Sequence, residues 1–320
     1  MKDGTQPIKR LVVKVGSSVL TDSQGRLNQK RLEELVGQFA WCAQRPSQLL
    51  IVSSGAIACG MGRLGLSSRP RALAQLQACA AVGQSELMHQ YTVSFRNYGL
   101  LTAQLLLTQE DLSSRRRFAN AKQTLQTLLE GGIVPIINEN DTVSVEEITF
   151  GDNDRLAALV AAVVDAQLLV VLSDVDGLLE NGKPIERVES LARLPAGLIR
   201  HAGRSTTKGG MASKIEAARI AGHSGIPMVI ANGTRAEVLP ELLSGKPVGT
   251  LFVPPSSRLN PRKWWIAFSL RNPHGALVVD DGATHALVSM RKSLLASGVL
   301  EVRGHFPKGS CIAIVNQQGT

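Results

Sequence analysis

Six short apolar runs punctuate the first 250 residues, most of them spaced to leave room for a helix in between. They are "LVVKV" (11–15), "QLLIVSS" (48–54), "GLLTAQLLL" (99–107), "IVPIIN" (133–138), "LLVVLSD" (168–174) and "IPMVIAN" (226–232). Their apolar residues are nearly continuous rather than alternating, the pattern of strands covered on both faces. The intervening stretches predict helices over 28–43, 71–96, 115–130, 153–164 and 211–223. Alternating strands and helices of this kind predict an α/β fold, a three-layer sandwich around a mostly parallel central sheet. Ligands of such sheets gather at the carboxyl ends of the strands. Most of the polar clusters in this chain follow a strand.

The pattern changes at "VPPSSRLNPRKWW" (253–265), where three prolines precede two tryptophans. Beyond it the chain reads as short strands and turns with one helix near 281–289. The expected organisation is a main domain over 1–253, a linker over 254–265 and a small β-rich module over 266–320. No repeat or low-complexity tract is evident.

Composition changes this picture little. With 44% hydrophobic and 19% charged residues in 320, the chain is a globular protein with a real core. Its most apolar stretch, from Leu156, is interrupted by Asp165 and Gln167 and splits into a helix and a strand, so no membrane association is expected. The opening decapeptide has no apolar segment of the secretory kind. Cys42, Cys59, Cys79 and Cys311 form no CxxC pair and no Cys/His pattern at metal spacing, which points to free thiols in the cytoplasm. The six histidines are likewise dispersed and give no zinc site or catalytic triad. Of the net charge of +9, the segment 251–320 carries +5, from eight Lys/Arg against three Asp/Glu. A basic tail suggests nucleic-acid contact, with an ordinary basic module as the alternative.

Four segments carry candidate chemistry. In "KVGSS" (14–18) a lysine sits inside an apolar strand. Burying an unpaired ammonium costs several kcal/mol, on the order of 5, so Lys14 needs either an anionic partner or a sheet edge from which to reach water. The strand is followed by a glycine and two hydroxyls, whose N–H groups are suited to phosphate oxygens. In "VSSGAIACG" (52–60) a strand ends in Ser-Ser-Gly before a helix begins. Ser54 presents a hydroxyl to a ligand carboxylate, or simply caps the helix. "NENDTVS" (138–144) and "GDNDRLAAL" (151–159) are acidic-amide clusters. Asp152, Asn153 and Asp154 fall at a helix N-terminus, where carboxylates complement the macrodipole. Two such clusters within fifteen residues also suit a pocket for a small zwitterion, or magnesium ligation. Last come "LSDVDG" (172–177) and "KGGMASK" (208–214). Gly209 and Gly210 let a backbone approach phosphate closely, and Lys214 brings a second cation. The P-loop spacing is absent. Two lysines, a carboxylate cluster and a glycine loop near strand ends describe phosphoryl transfer by electrostatics, with Asp154 holding both lysines while the site is empty.

The order of these motifs resembles the glutamate 5-kinase branch of the amino acid kinase family, followed by a PUA-like domain. The matching segments include "LVVKVGSSVLT", "IVSSGAIACG", "AAVGQSEL", "QLLLTQEDL", "IVPIINENDTVS", "FGDNDRLAALVA", "LSDVDGLL" and "GGMASKIEAARIAGHSGIPMVIANG", almost continuous from residue 10 to 252. The resemblance implies transfer of the ATP γ-phosphate to the side-chain carboxylate of L-glutamate, opening proline biosynthesis. It implies Lys14, Lys214 and Asp154 as catalytic, and Ser54, Asn138, Asp141, Asp152 and Asn153 as the glutamate site. ATP would be held by Lys14, Ser173 and Asp174 with Lys208, Gly209, Gly210, Met211, Ala212, Ser213 and Lys214, and Mg2+ would accompany it. Proline as an inhibitor, a homo-oligomer (dimer or tetramer) and a glutamyl phosphate reductase downstream follow from the same resemblance. Three departures stand out. "ENGKPIERVES" after Leu179 is short, Lys208 replaces a small residue beside the phosphates, and the PUA-like tail resembles a partial module. A partial module exposes strand edges, which argues against RNA binding. The competing readings are a kinase of the same fold with another acceptor, and a catalytically weak nucleic-acid-binding regulator.

Overall fold

The computed structural model describes residues 8–22, 24–45, 47–144, 152–194, 210–256, 275–306, 310 and 312–319. The chain divides into two compact units, 1–261 and 262–320.

In the first unit β1 (Arg10–Val15) leads through a single turn, α1 (Ser17–Leu20), into α2 (Gln29–Ala43), whose first turn is capped by Asn28 accepting from the Arg31 N–H. Then follow β2 (Gln48–Val52), α3 (Ala56–Arg63), α4 (Leu73–Arg96), β3 (Thr102–Leu107), α5 (Gln109–Ser113), α6 (Arg115–Glu130) and β4 (Val134–Glu139). After α7 (Asp152–Val163) and β5 (Leu168–Ser173) come three short strands: β6 (Leu179–Glu180), β7 (Lys183–Pro184) and β8 (Arg187–Val188). The unit closes with α8 (Met211–His223), β9 (Met228–Asn232), α9 (Val238–Leu243) and β10 (Thr250–Phe252).

Eight strands form one sheet in the order β3-β4-β2-β1-β5-β9-β10-β8; β9 and β10 pair antiparallel, so β10 and β8 run opposite to the other six. The central strands β1, β2, β4, β5 and β9 are buried almost throughout, as strands covered on both faces must be. At the edge, β3 is only half-buried. The side-chain period of two decides which layer each residue meets. Leu11, Val13 and Val15 join Leu32, Leu35, Phe39, Leu87 and Tyr91 in a core shared with α2, α3 and α4. Lys14 therefore points to the other face, where α7 packs on β1, β4 and β5, and α8 packs beside α7.

Several elements differ from the sequence reading. The second strand stops at Val52, two residues early, which places Ser53 and Ser54 in the turn. The third starts at Thr102 rather than 99. Single-turn α1 and short α5 and α9 are too brief to show a helical period. The short segment after Leu178 folds as the β6–β7 hairpin, and β8 then joins the main sheet beside β10.

In the second unit a three-stranded sheet has β11 (Ala276–Val279) at its centre. It pairs antiparallel with β12 (Val299–Arg303) and parallel with β13 (Ala313–Val315). Its helix, α10 (Asp281–Val288), is capped by the Asp280 carboxylate, which accepts from the Ala283 N–H.

Candidate active site

The chain runs from β1 to β2 on one side of the sheet and later places β5 on the other side of β1. This is a topological switch point, and crevices open at the carboxyl ends of strands there. Lys14 pairs in register with Val52 of β2 and Val171 of β5, so it lies mid-sheet and not at an edge. The edge-lysine reading is thereby excluded. Its ammonium finds an anion instead. Lys14 Nζ is 2.6 Å from Asp154 Oδ1, and Lys214 Nζ is 3.4 Å from Asp154 Oδ2. All three residues are buried, with Lys14 6%, Lys214 5% and Asp154 0% exposed.

Each member arrives from a different element. The strand supplies Lys14, the first turn of α7 supplies Asp154, and the first turn of α8 supplies Lys214. Ser213 adds a hydrogen bond from its hydroxyl to Asp154 Oδ2 at 2.6 Å, and the same hydroxyl lies 2.8 Å from the Gly210 carbonyl. Burial alone would push the Asp154 carboxyl up. The Lys14 and Lys214 ammonium groups overcome it and hold the carboxyl below its usual range. For Lys214 burial is the largest influence and lowers the ammonium pKa, against the attraction of Asp154. Together the three side chains carry a net charge of +1 in a place largely shielded from water.

Beside this triad lies an amide network. Asn153 Nδ2 faces the Ser53 carbonyl at 3.1 Å, Ser54 Oγ at 3.0 Å and Asn138 Oδ1 at 3.0 Å. Ser54, Asn138 and Asn153 thus converge from the turn after β2, the end of β4 and the first turn of α7. Asp141 stands half-buried in the turn after β4. Burial lowers the pKa of the Arg69 guanidinium, and the Asp141 carboxylate opposes that shift. Asp152 begins α7, and its side chain lies outside the described residues, as do Lys208 and Gly209. On the far side of β1, Ser173 Oγ donates to Asp174 Oδ1 at 3.1 Å, next to the Asp176–Asn232 hydrogen bond at 2.9 Å. Gly210 precedes α8, and Met211 and Ala212 form its start.

One expectation needs correcting. Of the N–H groups expected to face phosphate after β1, that of Gly16 is taken, because it donates to the Leu172 carbonyl at 3.0 Å, and this leaves the expectation with Ser17 and Ser18 at the start of α1. Three residues of the network escaped the sequence reading. Tyr91 is fully buried with its hydroxyl 3.0 Å from Ser53 Oγ. Gln84 Oε1 accepts from Asn138 Nδ2 at 2.8 Å. Ser53 itself holds the turn. Only the segment "AAVGQSEL" hinted at Gln84.

The residues present suit phosphate better than they suit a protein-held metal. Two buried ammonium groups with one carboxylate leave positive charge for anionic oxygens. Among the described residues no group of three or more His, Cys, Asp or Glu side chains is placed to hold a metal ion. Nucleophilic chemistry at Cys42 and Cys59 is disfavoured: burial pushes both thiols up to about 12, which favours the protonated form at neutral pH.

A mostly parallel sheet with a lysine–carboxylate–lysine cluster at its switch point is suited to stabilising charge on a transferring phosphoryl group, and the chain belongs to the amino acid kinase family, whose model matches residues 9–232. A PUA domain model matches 275–320. Among its relatives is a glutamate 5-kinase from Caldanaerobacter subterraneus subsp. tengcongensis, 47% identical over 97% of this chain and 85% of that protein. The glutamate 5-kinase of Geobacter metallireducens is 45% identical over 98% of this chain and 85% of its own length. A solved UMP kinase from Bacillus anthracis superposes with a TM-score of 0.52 over 80% of this chain and 100% of its own, at 15% identity, and shares the fold. Among the described residues no helix is long and apolar enough to cross a membrane.

Proposed function

We propose that this chain transfers the terminal phosphoryl group of ATP to the side-chain carboxylate of L-glutamate, giving glutamyl 5-phosphate, the first step of proline biosynthesis. The observation that carries the chemistry is Asp154 bridging Lys14 and Lys214 at 2.6 and 3.4 Å. The choice of glutamate is supported by relatives of that activity at 45–47% identity over nearly the whole chain.

A glutamate carboxylate, with a pKa of about 4.3, is already ionised at neutral pH, so no general base is required. One of its oxygens attacks the γ-phosphorus, the bond to the bridging oxygen breaks, and ADP carries away the electron pair. Negative charge spreads over the transferring oxygens. Lys14 and Lys214 are cations already in position to meet it, so little reorganisation is needed as the reaction proceeds. Asp154 keeps the two ammonium groups adjacent when no phosphate is there to do so. Ser54, Asn138, Asp141, Asp152 and Asn153 serve the amino acid, and Ser173, Asp174 and the segment 208–214 serve the nucleotide. A magnesium ion held by the nucleotide phosphates would supply charge neutralisation there, beside the two ammonium groups of Lys14 and Lys214. Proline binding in the amino acid cleft, a homo-oligomeric state, a cytoplasmic location and a reductase that consumes the acyl phosphate belong to the same reading and rest on the family resemblance.

The test is ATP-dependent hydroxamate formation from glutamate and hydroxylamine. Wild type turns over, and Lys214→Ala loses about 10²–10³-fold in kcat, the usual cost of one preorganised charge donor. Turnover of another acceptor in place of glutamate contradicts the substrate, and an unimpaired Lys214→Ala variant contradicts the chemistry.

A further inference from the structure

We propose that Gln84 is a positioning residue for the amino acid substrate, acting through Asn138 to hold the Asn153 carboxamide with its oxygen turned towards the ligand. This rests on the reading of the cleft as a glutamate site.

The argument follows hydrogen-bond polarity along the chain of amides. The Glu139 N–H, a donor only, points at Asn138 Oδ1 at 2.9 Å. That fixes which end of the Asn138 carboxamide is oxygen and leaves Nδ2 facing Gln84 Oε1 at 2.8 Å. Asn138 and Gln84 are 2% and 9% exposed, so water does not substitute readily for either. Asn138 Oδ1 and the Ser53 carbonyl then both face Asn153, and both are acceptors. The Asn153 nitrogen must lie on their side. Its oxygen is therefore directed away from them. That oxygen is buried and has no hydrogen-bond partner among the described residues.

A buried carboxamide oxygen without a donor carries a full desolvation penalty, which a ligand N–H removes. The ammonium of an amino acid is such a donor, and the carboxylates and phosphates in this reaction are not. Gln84 never reaches the ligand in this account. It comes from the middle of α4, one residue after Gly83, where the helix presses on α3 so closely that a Cβ at Gly83 would lie 1.8 Å from the Ala56 carbonyl oxygen. The helix therefore delivers Gln84 at a fixed depth. Without its Oε1, Asn138 Nδ2 is a buried donor lacking this acceptor. The Asn138 carboxamide then turns about its soft terminal torsion, and Asn153 loses one of the acceptors that orient it.

Steady-state kinetics with each substrate varied test this. Gln84→Met, close in shape but lacking the acceptor, is expected to raise the KM for glutamate about tenfold or more while the KM for ATP moves less than about twofold. Gln84→Glu retains an acceptor and is expected to restore the glutamate KM to within about threefold of wild type. In an Asn138→Ala background Gln84→Met adds no further rise, because the relay is already cut. The inference is overturned if both KM values shift together, if Gln84→Glu is as impaired as Gln84→Met, or if the two substitutions multiply. Should Gln84→Met not fold, Gln84→Glu decides by itself, a near-normal glutamate KM supporting the relay and a tenfold rise overturning it. A wild-type protein that does not phosphorylate glutamate overturns the functional reading and this inference with it.

Discussion

Lys14 was the most legible single residue in the chain. An ammonium inside "LVVKV" conflicts with its own strand, and the conflict announces a partner. Which carboxylate answers it was not legible, since Asp154 lies 140 positions away and reaches Lys14 only through the packing of α7 on β1. The same pairing governs the response to acid. The Asp154 carboxyl is held below the ordinary 3.8 in the folded protein, so its contribution to stability is present above that value. It is lost as pH falls through the lowered folded pKa. Protonation there leaves two ammonium groups side by side with no anion between them. The expected outcome, followed by thermal melting between pH 6 and 2 or by urea titration at each pH, is a stability loss in this acid window. An Asp154→Asn variant, already without that charge, is expected to be less stable at neutral pH and to show a shallower acid dependence.

At the scale of elements, the strands and long helices were readable because their apolar pattern is continuous and their lengths exceed a turn or two. The contact between α3 and α4 was not. It depends on two glycines that look unremarkable in sequence: a Cβ on Gly60 would lie 1.8 Å from the Cys79 carbonyl oxygen, and one on Gly83 as close to that of Ala56. Both obstacles are backbone, so no side chain can move aside. Gly83→Ala is expected to destabilise by about 3 kcal/mol or more, the upper range for overpacking, and to lower the melting temperature by about 6 °C or more. Gly62, on α3 two residues after Gly60, gives the contrast. A Cβ there meets only the Arg26 side chain at 3.6 Å, an ordinary contact. Gly62→Ala is expected to be neutral or stabilising by up to about 1 kcal/mol through helix propensity. Calorimetry on the pair checks whether close helix approach, and not glycine content, is what α3 and α4 require.

For the whole molecule, the decisive fact is the position of β1 in the sheet order and the face to which its even-numbered residues point. Alternation along the strand gives Leu11, Val13 and Val15 to one layer and Lys14 to the layer that contains α7 and α8. Three residues separated by up to 200 positions therefore meet on one side of the sheet. Sequence patterning predicts a parallel sheet and its ligand-binding end, but strand order is set by crossovers that a single sequence does not encode locally. All the described site residues fall within the unit 1–261. A chain ending at Pro261 is accordingly expected to retain ATP-dependent hydroxamate formation, with glutamate and ATP KM values of the same order as the full chain. Loss of activity in a truncated chain that still melts cooperatively would show that the second unit takes part in catalysis.

The most direct test of the account is a crystal structure with magnesium ADP, aluminium fluoride and glutamate bound. Lys14 Nζ and Lys214 Nζ are predicted to lie on the same fluoride group, each at a charge-assisted hydrogen-bond distance of about 2.7–3.1 Å. A complex in which either ammonium stays on Asp154 alone, with the fluoride group elsewhere, would contradict it.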